Sequence, residues 1–121
     1  MLTRYKKSCE KIAMGLLSLM PGEKDLKKLR HTKRLYEEND NLQLYLWKQE
    51  EAYIGLIGVE IHEDHFIVRH ISVLPPYRNE GTGQAMLEKI QFLMGDRVMH
   101  ATEETEAFIQ KWGREKVHAA K

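Results

Sequence analysis

The sequence predicts an α/β (α+β) fold in which a mostly antiparallel sheet is flanked by helices. Apolar segments at residues 42–48, 52–61 and 65–73 are separated only by short polar turns, which is typical of antiparallel strands in a meander. Helical periodicity occurs both before and after these segments. Since the chain has 121 residues, 42% of them hydrophobic, we expect one domain spanning residues 1–121.

Composition limits the function classes. The 19 Lys and Arg residues are almost balanced by 18 Asp and Glu residues, so the charge gives no reason to expect a nucleic-acid partner. Cys9 is the only cysteine, which excludes an internal disulfide and a cysteine zinc cluster and favours a reducing cytoplasm. The apolar run at residues 12–20 is well below the roughly 18 residues of a membrane helix, so no membrane partner is expected.

The segment before the meander predicts a short strand at residues 2–5 and two helices. Pro21-Gly22 ends the first helix, and the second runs from about Glu23 to Glu38. The apolar face of the first helix contains Ile12, Leu16, Leu19 and Met20, and that of the second contains Leu26, Leu29 and Tyr36.

The segment after the meander begins at Pro75-Pro76, because neither proline can donate to a strand ladder. A third helix follows Gly81-Thr82-Gly83 and ends at Gly95. We expect a short strand near residues 97–100 and a last helix at about 103–112, with Thr102 as its N-cap. The predicted order is β-α-α-β-β-β-α-β-α. The apolar face of the third helix contains Met86, Leu87, Ile90, Leu93 and Met94.

The two glycines before the third helix predict a site for an anion. Both positions are expected to allow positive φ, and both let a bulky anion approach the amides at the positive end of the helix. Phosphate is the natural candidate, although a Walker loop would need Lys after Gly83 and a dinucleotide loop a small residue where Met86 stands. A simple turn into the helix stays open as the alternative.

The surroundings of the glycines resemble a family signature. Val73-x-Pro75-x-Tyr77-Arg78-x-x-Gly81-x-Gly83 is similar to the acetyl-CoA motif of the GNAT N-acetyltransferases. The resemblance covers nearly the whole chain, since the family has the same element order, but its usual last two strands have no room in this shortened C-terminus. Among small members the chain most resembles those encoded with riboflavin-biosynthesis genes, which implies a link to that pathway.

The resemblance implies that the chain binds acetyl-CoA or coenzyme A. The strand before the motif would pair with the pantetheine arm, as an added strand does, and one of its amides would face the thioester oxygen. The strand residues are Ile71, Ser72 and Val73. The loop amides that would hold the pyrophosphate belong to Arg78, Asn79, Glu80, Gly81, Thr82, Gly83 and Gln84.

The last helix departs from the family pattern Asn-x-x-Ala-x-x-Phe-Tyr-x-Lys-x-Gly-Phe. Phe108, Lys111 and Gly113 agree with it, whereas the differing positions are Thr102, Thr105, Ile109 and Arg114. The resemblance assigns Thr102, Phe108 and Lys111 to the coenzyme A site. Ile109 stands where the family has the Tyr that protonates the departing thiolate, so the usual general acid is missing.

The general base is also not at its usual place. Family members carry it four or six residues before the signature valine, which here gives Arg69 or Ile67. Neither side chain accepts a proton at neutral pH, so His70 on the same strand and Glu60 on the neighbouring one are the candidates. A buried structural histidine and a solvated strand end are the competing interpretations.

Two further charged segments can each be interpreted as a functional site or as solvated surface. The His62-Glu63-Asp64-His65 turn is read as solvated, and no metal site is expected. The basic residues of the second helix suit an anionic acceptor, the 3′-phosphate of coenzyme A or a solvated face. They are Lys24, Lys27, Lys28, Arg30, His31, Lys33 and Arg34.

The sequence therefore predicts an acetyl-CoA-dependent N-acetyltransferase that acts on a primary amine of a small molecule or a protein. The alternative is a non-catalytic coenzyme-A-binding sensor or partner module. Because the family's final strands are missing, an uncovered sheet edge or apolar helix face is expected, which favours a homodimer.

Overall fold

The structure is a computed structural model, and it describes residues 1–23 and 25–111. The elements are β1 (Leu2–Arg4), α1 (Glu10–Leu17), α2 (Leu26–Glu38), β2 (Leu42–Gln49), β3 (Ala52–Ile61), β4 (His65–Val73), α3 (Thr82–Met94) and β5 (Val98–Ala101). Residues 106–111 form α4 up to the end of the described chain. Lys24 and the predicted last helical residue, Trp112, lie outside the described residues.

The strands form one sheet in the order β1-β2-β3-β4-β5. The first four strands are antiparallel to their neighbours, whereas β4 and β5 are parallel because α3 connects them as a crossover. The predicted mixed, mostly antiparallel sheet flanked by helices is confirmed. The boundaries of β3 and β4 agree with the prediction, since turn residues mark both ends.

The pairing of β4 with β5 stops halfway along β4. It runs from His65 opposite Val98 to Val68 opposite Ala101. Beyond that point β4 keeps only its antiparallel partner β3, and Arg69 is an extra residue in that ladder, because Gly58 faces His70 while Val59 faces Val68. Among the described residues, the second half of β4 therefore has one side without a strand partner.

Each face of the sheet carries its own core. Leu87 and Ile90 of α3 pack with Phe66 and Val68 on one face, and Leu16 and Leu17 of α1 lie in the cluster on the other. All six side chains are at most 2% exposed. Helices therefore cover both faces of β4, because α1 and α3 both contact this strand, and Ile71 and Val73 of its second half are part of the cluster under α3.

The first two helices differ from the prediction. α1 ends at Leu17 rather than at Pro21-Gly22, and the exposed Ile12 lies off the inner face that Ala13 and Leu17 share with Leu16. Because an α-helix has 3.6 residues per turn, Ala13 rather than Ile12 lies on the same helix face as the buried Leu16 and Leu17.

α2 begins at Leu26 rather than near Glu23, because the Asp25 side chain caps it by accepting a hydrogen bond from the Lys27 amide at 3.0 Å. Leu26 is 53% exposed, contrary to its predicted place on the inner face, whereas Leu29 and Tyr36 are buried as predicted. On α3 the predicted inner residue Leu93 is 47% exposed.

Some apolar side chains remain at the surface. Phe92 is 76% exposed and Val98, on the outermost described strand β5, is 60% exposed. The homodimer stays a prediction. In the part of the chain that the structure describes, no helix combines the length and apolar character needed to cross a bilayer.

Candidate active site

A main cleft of about 620 Å³ opens between the second half of β4 and the start of α3. The segment between α1 and α2 and the first residues of α4 close its other sides. It is lined by Leu19, Met20, Pro21, Ile71, Ser72, Val73, Tyr77, Arg78, Asn79, Gly81, Thr82, Gly83, Gln84, Glu104, Phe108 and Lys111. The cleft therefore lies where β4 has no second strand partner among the described residues.

The loop before α3 presents bare backbone to this cleft. Gly81 has φ 84° and Asn79 has φ 68°, and the N-cap position at Gly81 has no side-chain cap. The first hydrogen bond of α3 runs from the Ala85 amide to the Gly81 carbonyl, so the preceding amides of the first turn point out of the helix without an intrahelical acceptor. Together with the helix dipole, these amides suit an anion.

The second glycine of the loop has a different role from the first. Gly83 does not have the positive φ that we expected of both glycines. A Cβ on Gly83 would lie 2.0 Å from Cζ of Phe108, so the missing side chain makes room for that aromatic ring. The prediction of positive φ is wrong for Gly83, because the residue already belongs to the regular helix.

Arg78 and Ser72 connect the cleft to its supports. The Nε of Arg78 donates a hydrogen bond of 2.9 Å to the Val73 carbonyl, which fixes the loop against the end of β4. The buried Ser72 hydroxyl donates to the Leu16 carbonyl at 2.7 Å and thereby ties β4 to the end of α1. Both contacts position backbone rather than present a reactive side chain.

Most predicted cofactor residues line the main cleft, with two exceptions. Glu80 is exposed and is not part of the lining. Thr102 lies on a second cleft, described below. Phe108 and Lys111 reach the main cleft from α4, whereas Gly113 and Arg114 lie outside the described residues.

A side cleft of about 300 Å³ adjoins the main one and shares Met20, Pro21 and Glu104 with it. Its floor contains polar groups from α2, from β4 and from the loop that precedes α2. The lining residues are Met20, Pro21, Glu23, Lys28, His31, Thr32, Leu35, Tyr36, Leu42, Arg69, His70, Thr102 and Glu104. A molecule in the side cleft would therefore reach the main cleft past Glu104.

His70 lies between two partners on the floor of the side cleft. Its Nδ1 is 2.6 Å from the Tyr36 hydroxyl and its Nε2 is 3.3 Å from Oε1 of Glu23. Burial raises the pKa of Tyr36 far above its ordinary value, so the hydroxyl keeps its proton and donates to Nδ1. This assignment leaves the imidazole proton on Nε2, where it donates to the Glu23 carboxylate.

The environment of His70 keeps the imidazole neutral. Burial lowers the pKa of His70 below its ordinary value, although Glu23 acts in the opposite direction. Tyr36 can reach His70 because Gly58 of β3 has no side chain. A Cβ on Gly58 would lie only 2.1 Å from the Tyr36 hydroxyl oxygen. Only a glycine on the strand leaves that space.

Glu60, the other predicted base, lies outside both clefts. Its carboxylate accepts a hydrogen bond of 2.7 Å from Arg69 and lies 2.5 Å from Nε2 of His62. These contacts, the one with His62 first, lower the pKa of Glu60. A carboxylate held in this way is a weak proton acceptor, so the geometry favours His70.

Thr105 fastens α4 at the point where β4 and β5 separate. Its fully buried hydroxyl donates to the Val68 carbonyl at 2.8 Å, and its Oγ1 accepts from the Thr102 amide at 2.9 Å. The Thr105 amide in turn donates to Oγ1 of Thr102 at 3.3 Å, so Thr102 caps the turn at residues 103–105. The predicted helix start near 103 with Thr102 as N-cap is wrong, because α4 begins at residue 106 and its first hydrogen bond runs from the Ile109 amide to the Thr105 carbonyl. The sequence analysis treated Thr105 only as a departure from the family pattern.

Sequence reasoning also missed Glu23 and the polar role of Tyr36. The contacts of these residues with His70 span 47 and 34 positions of the chain, so no local spacing could have grouped them. The one available signal was Gly58 within a strand, which often marks a close approach of another group.

Comparison with known proteins agrees with this geometry. The model of the acetyltransferase (GNAT) domain matches residues 40–114. An uncharacterised N-acetyltransferase encoded in the lysA 3′ region of Bacillus methanolicus is 50% identical over 112 residues, which is 92% of this chain and 93% of that protein.

Solved structures show the same fold at low sequence identity. The aminoglycoside acetyltransferase AAC(6′)-Iy, in complex with the bisubstrate analogue CoA-S-monomethyl-acetylneamine, superposes with a TM-score of 0.69 at 22% identity, covering 99% of this chain and 87% of the other. A possible acetyltransferase from Clostridium difficile 630 gives 0.72 at 12% identity, covering 98% and 88%. With a domain model matching most of its length and a relative identical at half its positions, this chain belongs to the GNAT acetyltransferase family of acyltransferases.

Proposed function

We propose that this protein transfers an acetyl group from acetyl-CoA to the primary amine of a small molecule. The observation that carries the proposal is the main cleft, where the half of β4 that has one strand partner within residues 1–23 and 25–111 meets the start of α3, which has no side-chain cap. An extended thioester arm and a pyrophosphate need these two backbone surfaces side by side. Family membership and the coenzyme A analogue bound to AAC(6′)-Iy support the same ligand.

The backbone of the main cleft would hold acetyl-CoA, which supplies an activated thioester. First-turn amides of α3, from Thr82 to Gln84, would bind the pyrophosphate, with Lys111 adding positive charge at the rim. Amides on the open side of β4, within 71–73, would pair with the pantetheine arm. An amide there would also stabilise the charge that develops on the thioester oxygen, an effect typically worth about 10²–10³ in rate.

His70 would act as the general base through Tyr36. As the acceptor's ammonium gives a proton to the Tyr36 hydroxyl oxygen, the hydroxyl passes its own proton to Nδ1 of His70, 2.6 Å away. The imidazolium that forms is stabilised by the Glu23 carboxylate at Nε2. The neutral amine then attacks the thioester carbon, the new C–N bond forms, and the C–S bond breaks to release the thiolate.

Departure of the thiolate needs no side-chain acid. A thiol has an ordinary pKa of about 8.5, so its conjugate base leaves readily near neutral pH. The surplus proton of the amide nitrogen neutralises the thiolate or passes to solvent. Ile109 in place of the family's tyrosine is therefore compatible with turnover.

Calorimetry with acetyl-CoA, followed by a thiol-release assay over a panel of primary amines, tests the proposal. We expect binding and acetylation of at least one small amine. Binding without turnover on a broad panel would instead support the non-catalytic coenzyme-A-binding module. The link to riboflavin biosynthesis stays a prediction, and amine intermediates of flavin synthesis belong in the panel for that reason.

A further inference from the structure

The side cleft carries charges of both signs, and they are unevenly buried. Glu23 is 7% exposed, whereas the cationic residues Lys28 and Arg69 lie at the exposed rim. Glu104 stands at the junction with the main cleft. An acceptor that enters the side cleft therefore meets a buried carboxylate at the floor and cations at the rim.

The Glu23 carboxylate has hydrogen-bonding capacity left over. Among the described residues it accepts from the Thr32 hydroxyl, 3.2 and 3.4 Å from its two oxygens, and from Nε2 of His70 at 3.3 Å. A carboxylate offers about four lone-pair sites, and two donors fill only part of them. Since an incompletely paired buried charge is costly, the free sites facing the cleft suit an ammonium group.

The rim offers a cationic side chain, Lys28, which shares the side cleft with the carboxylate of Glu104. Lys28 and His31 lie three residues apart, and hence on one face of α2, and both are exposed. Lys28 makes no ion pair within the described part of the chain, whereas the guanidinium of Arg69 is held by Glu60. Lys28 and His31 can therefore donate to an anionic group that lines the same cleft.

We propose that the side cleft selects a small zwitterionic acceptor, with its primary ammonium beside the Tyr36 hydroxyl and attracted by the buried Glu23 carboxylate, and a carboxylate or phosphate on Lys28 and His31. This inference rests on the proposed acetyl transfer and names the acceptor class. A volume of about 300 Å³ is at the low end for small-molecule sites, which favours a compact metabolite over a protein side chain with its flanking backbone.

The same charges disfavour a polycationic acceptor. A second ammonium group in the place of the acceptor's anion would lie against Lys28, and this repulsion disfavours it there, whereas Glu104 offers a cation a competing place at the junction. The acceptor class therefore differs from the neamine portion of the analogue bound to AAC(6′)-Iy, although the fold is shared.

Steady-state thiol-release kinetics on four matched amines test the proposal. Phosphoethanolamine and β-alanine carry a phosphate and a carboxylate respectively, ethanolamine carries neither, and spermidine is a polycation. We expect kcat/KM for at least one zwitterion to exceed those of ethanolamine and spermidine by about tenfold or more. The two zwitterions distinguish phosphate from carboxylate as the anionic group.

The charge at the rim is tested with Lys28→Glu and the matched control Lys27→Glu. Lys27 is the exposed neighbour on α2 and lines neither cleft. We expect Lys28→Glu to raise KM for the preferred zwitterion by about tenfold with little change in kcat, the pattern of lost ground-state binding, while Lys27→Glu stays near wild type. Equal effects of the two variants would overturn the inference.

A binding measurement separates this inference from the proposed function. The imidazole NMR signals of His70 are followed in the coenzyme A complex as each amine is added, and Glu23→Gln serves as the comparison. Shifts with a zwitterion that vanish in Glu23→Gln support the acceptor site even without turnover. If amines are acetylated but ethanolamine or spermidine is preferred, the acetyltransferase proposal stands and the zwitterion inference fails. Absence of both binding and preference also overturns it.

Discussion

The main cleft and the side cleft adjoin each other but are built from different parts of the chain. Backbone would form the binding surface of the main cleft, through the half of β4 that pairs only with β3 among the described residues and the amides at Gly81 and beyond. Side chains form the floor of the side cleft, where Glu23, Tyr36 and His70 meet from separate elements. A backbone site needs only a particular chain path, whereas a side-chain site depends on the identity of each residue.

This difference explains why one cleft can serve a constant ligand and the other a variable one. Many sequences can supply amides for a pyrophosphate, provided that a glycine allows the turn. The acceptor, in contrast, is selected by charges such as Glu23 and Lys28, which can change without altering the fold. Substitutions in the main cleft should therefore abolish binding of coenzyme A, and those in the side cleft should change rate or acceptor.

The largest effect is expected from Gly83→Val. The new Cβ would lie within 2.0 Å of the Phe108 ring, so the ring, which lines the main cleft, must move. We expect coenzyme A affinity, measured by calorimetry, to fall by about 100-fold or more, because the displaced ring and the new side chain obstruct the approach of the pyrophosphate to the amides, and about 2.7 kcal/mol of lost binding free energy suffices for that change. Circular dichroism verifies that the variant is folded.

Two companion variants identify the cause of this loss. Gly15→Ala, in α1, adds a Cβ with no atom within 4 Å, and it should leave the affinity unchanged. In Gly83→Val/Phe108→Ala the steric conflict is removed. Recovery of affinity in that double variant would assign Gly83 to the aromatic contact. Continued loss would assign Gly83 to the ligand if Phe108→Ala alone keeps its affinity, because Phe108 itself lines the main cleft. Wild-type affinity in Gly83→Val itself would contradict a coenzyme A site at this loop.

A smaller effect is expected from His70→Ala in the side cleft. If the imidazole is the base, turnover should fall by about tenfold or more while coenzyme A affinity stays nearly constant. Because burial lowers the pKa of His70, the neutral form persists below the ordinary value of about 6.5, and wild-type activity should fall only at more acidic pH. The variant should lack that acidic limb in its pH–rate profile.

Glu60→Gln is the matched control for the histidine variant. Glu60 lies outside both clefts, so its removal should leave turnover within about twofold of wild type. Wild-type turnover in His70→Ala, or a large loss in Glu60→Gln, would reverse the assignment of the base.

The sequence predicted the main cleft better than the side cleft for the same physical reason. Gly81, the proline pair and the strand that precedes them are neighbours in the chain, so a local pattern located the loop. The floor of the side cleft joins residues up to 47 positions apart, and only tertiary packing brings them together. His70 was found because its strand was recognised, whereas Glu23 was assigned to a helix that begins after it.

The smallest effect on the two clefts is expected from Thr105→Val, which tests how far the junction between β4 and β5 supports them. The change keeps the shape of the buried side chain but leaves the Val68 carbonyl and the Thr102 amide without their partner. Unfolding in urea should show a loss of about 1–3 kcal/mol, as is typical when buried polar groups lose their hydrogen bonds. Coenzyme A affinity should fall by less than about threefold, because the amides that face the ligand lie on β4 and α3 rather than on Thr105.

Thr3→Val on β1 is the control, since its hydroxyl contact with the Leu46 carbonyl is long at 3.5 Å and only partly buried, and its removal should cost less than about 0.5 kcal/mol. A large loss of affinity in Thr105→Val with unchanged stability would show that the junction itself shapes the main cleft, so that the backbone site would depend on a particular side chain after all.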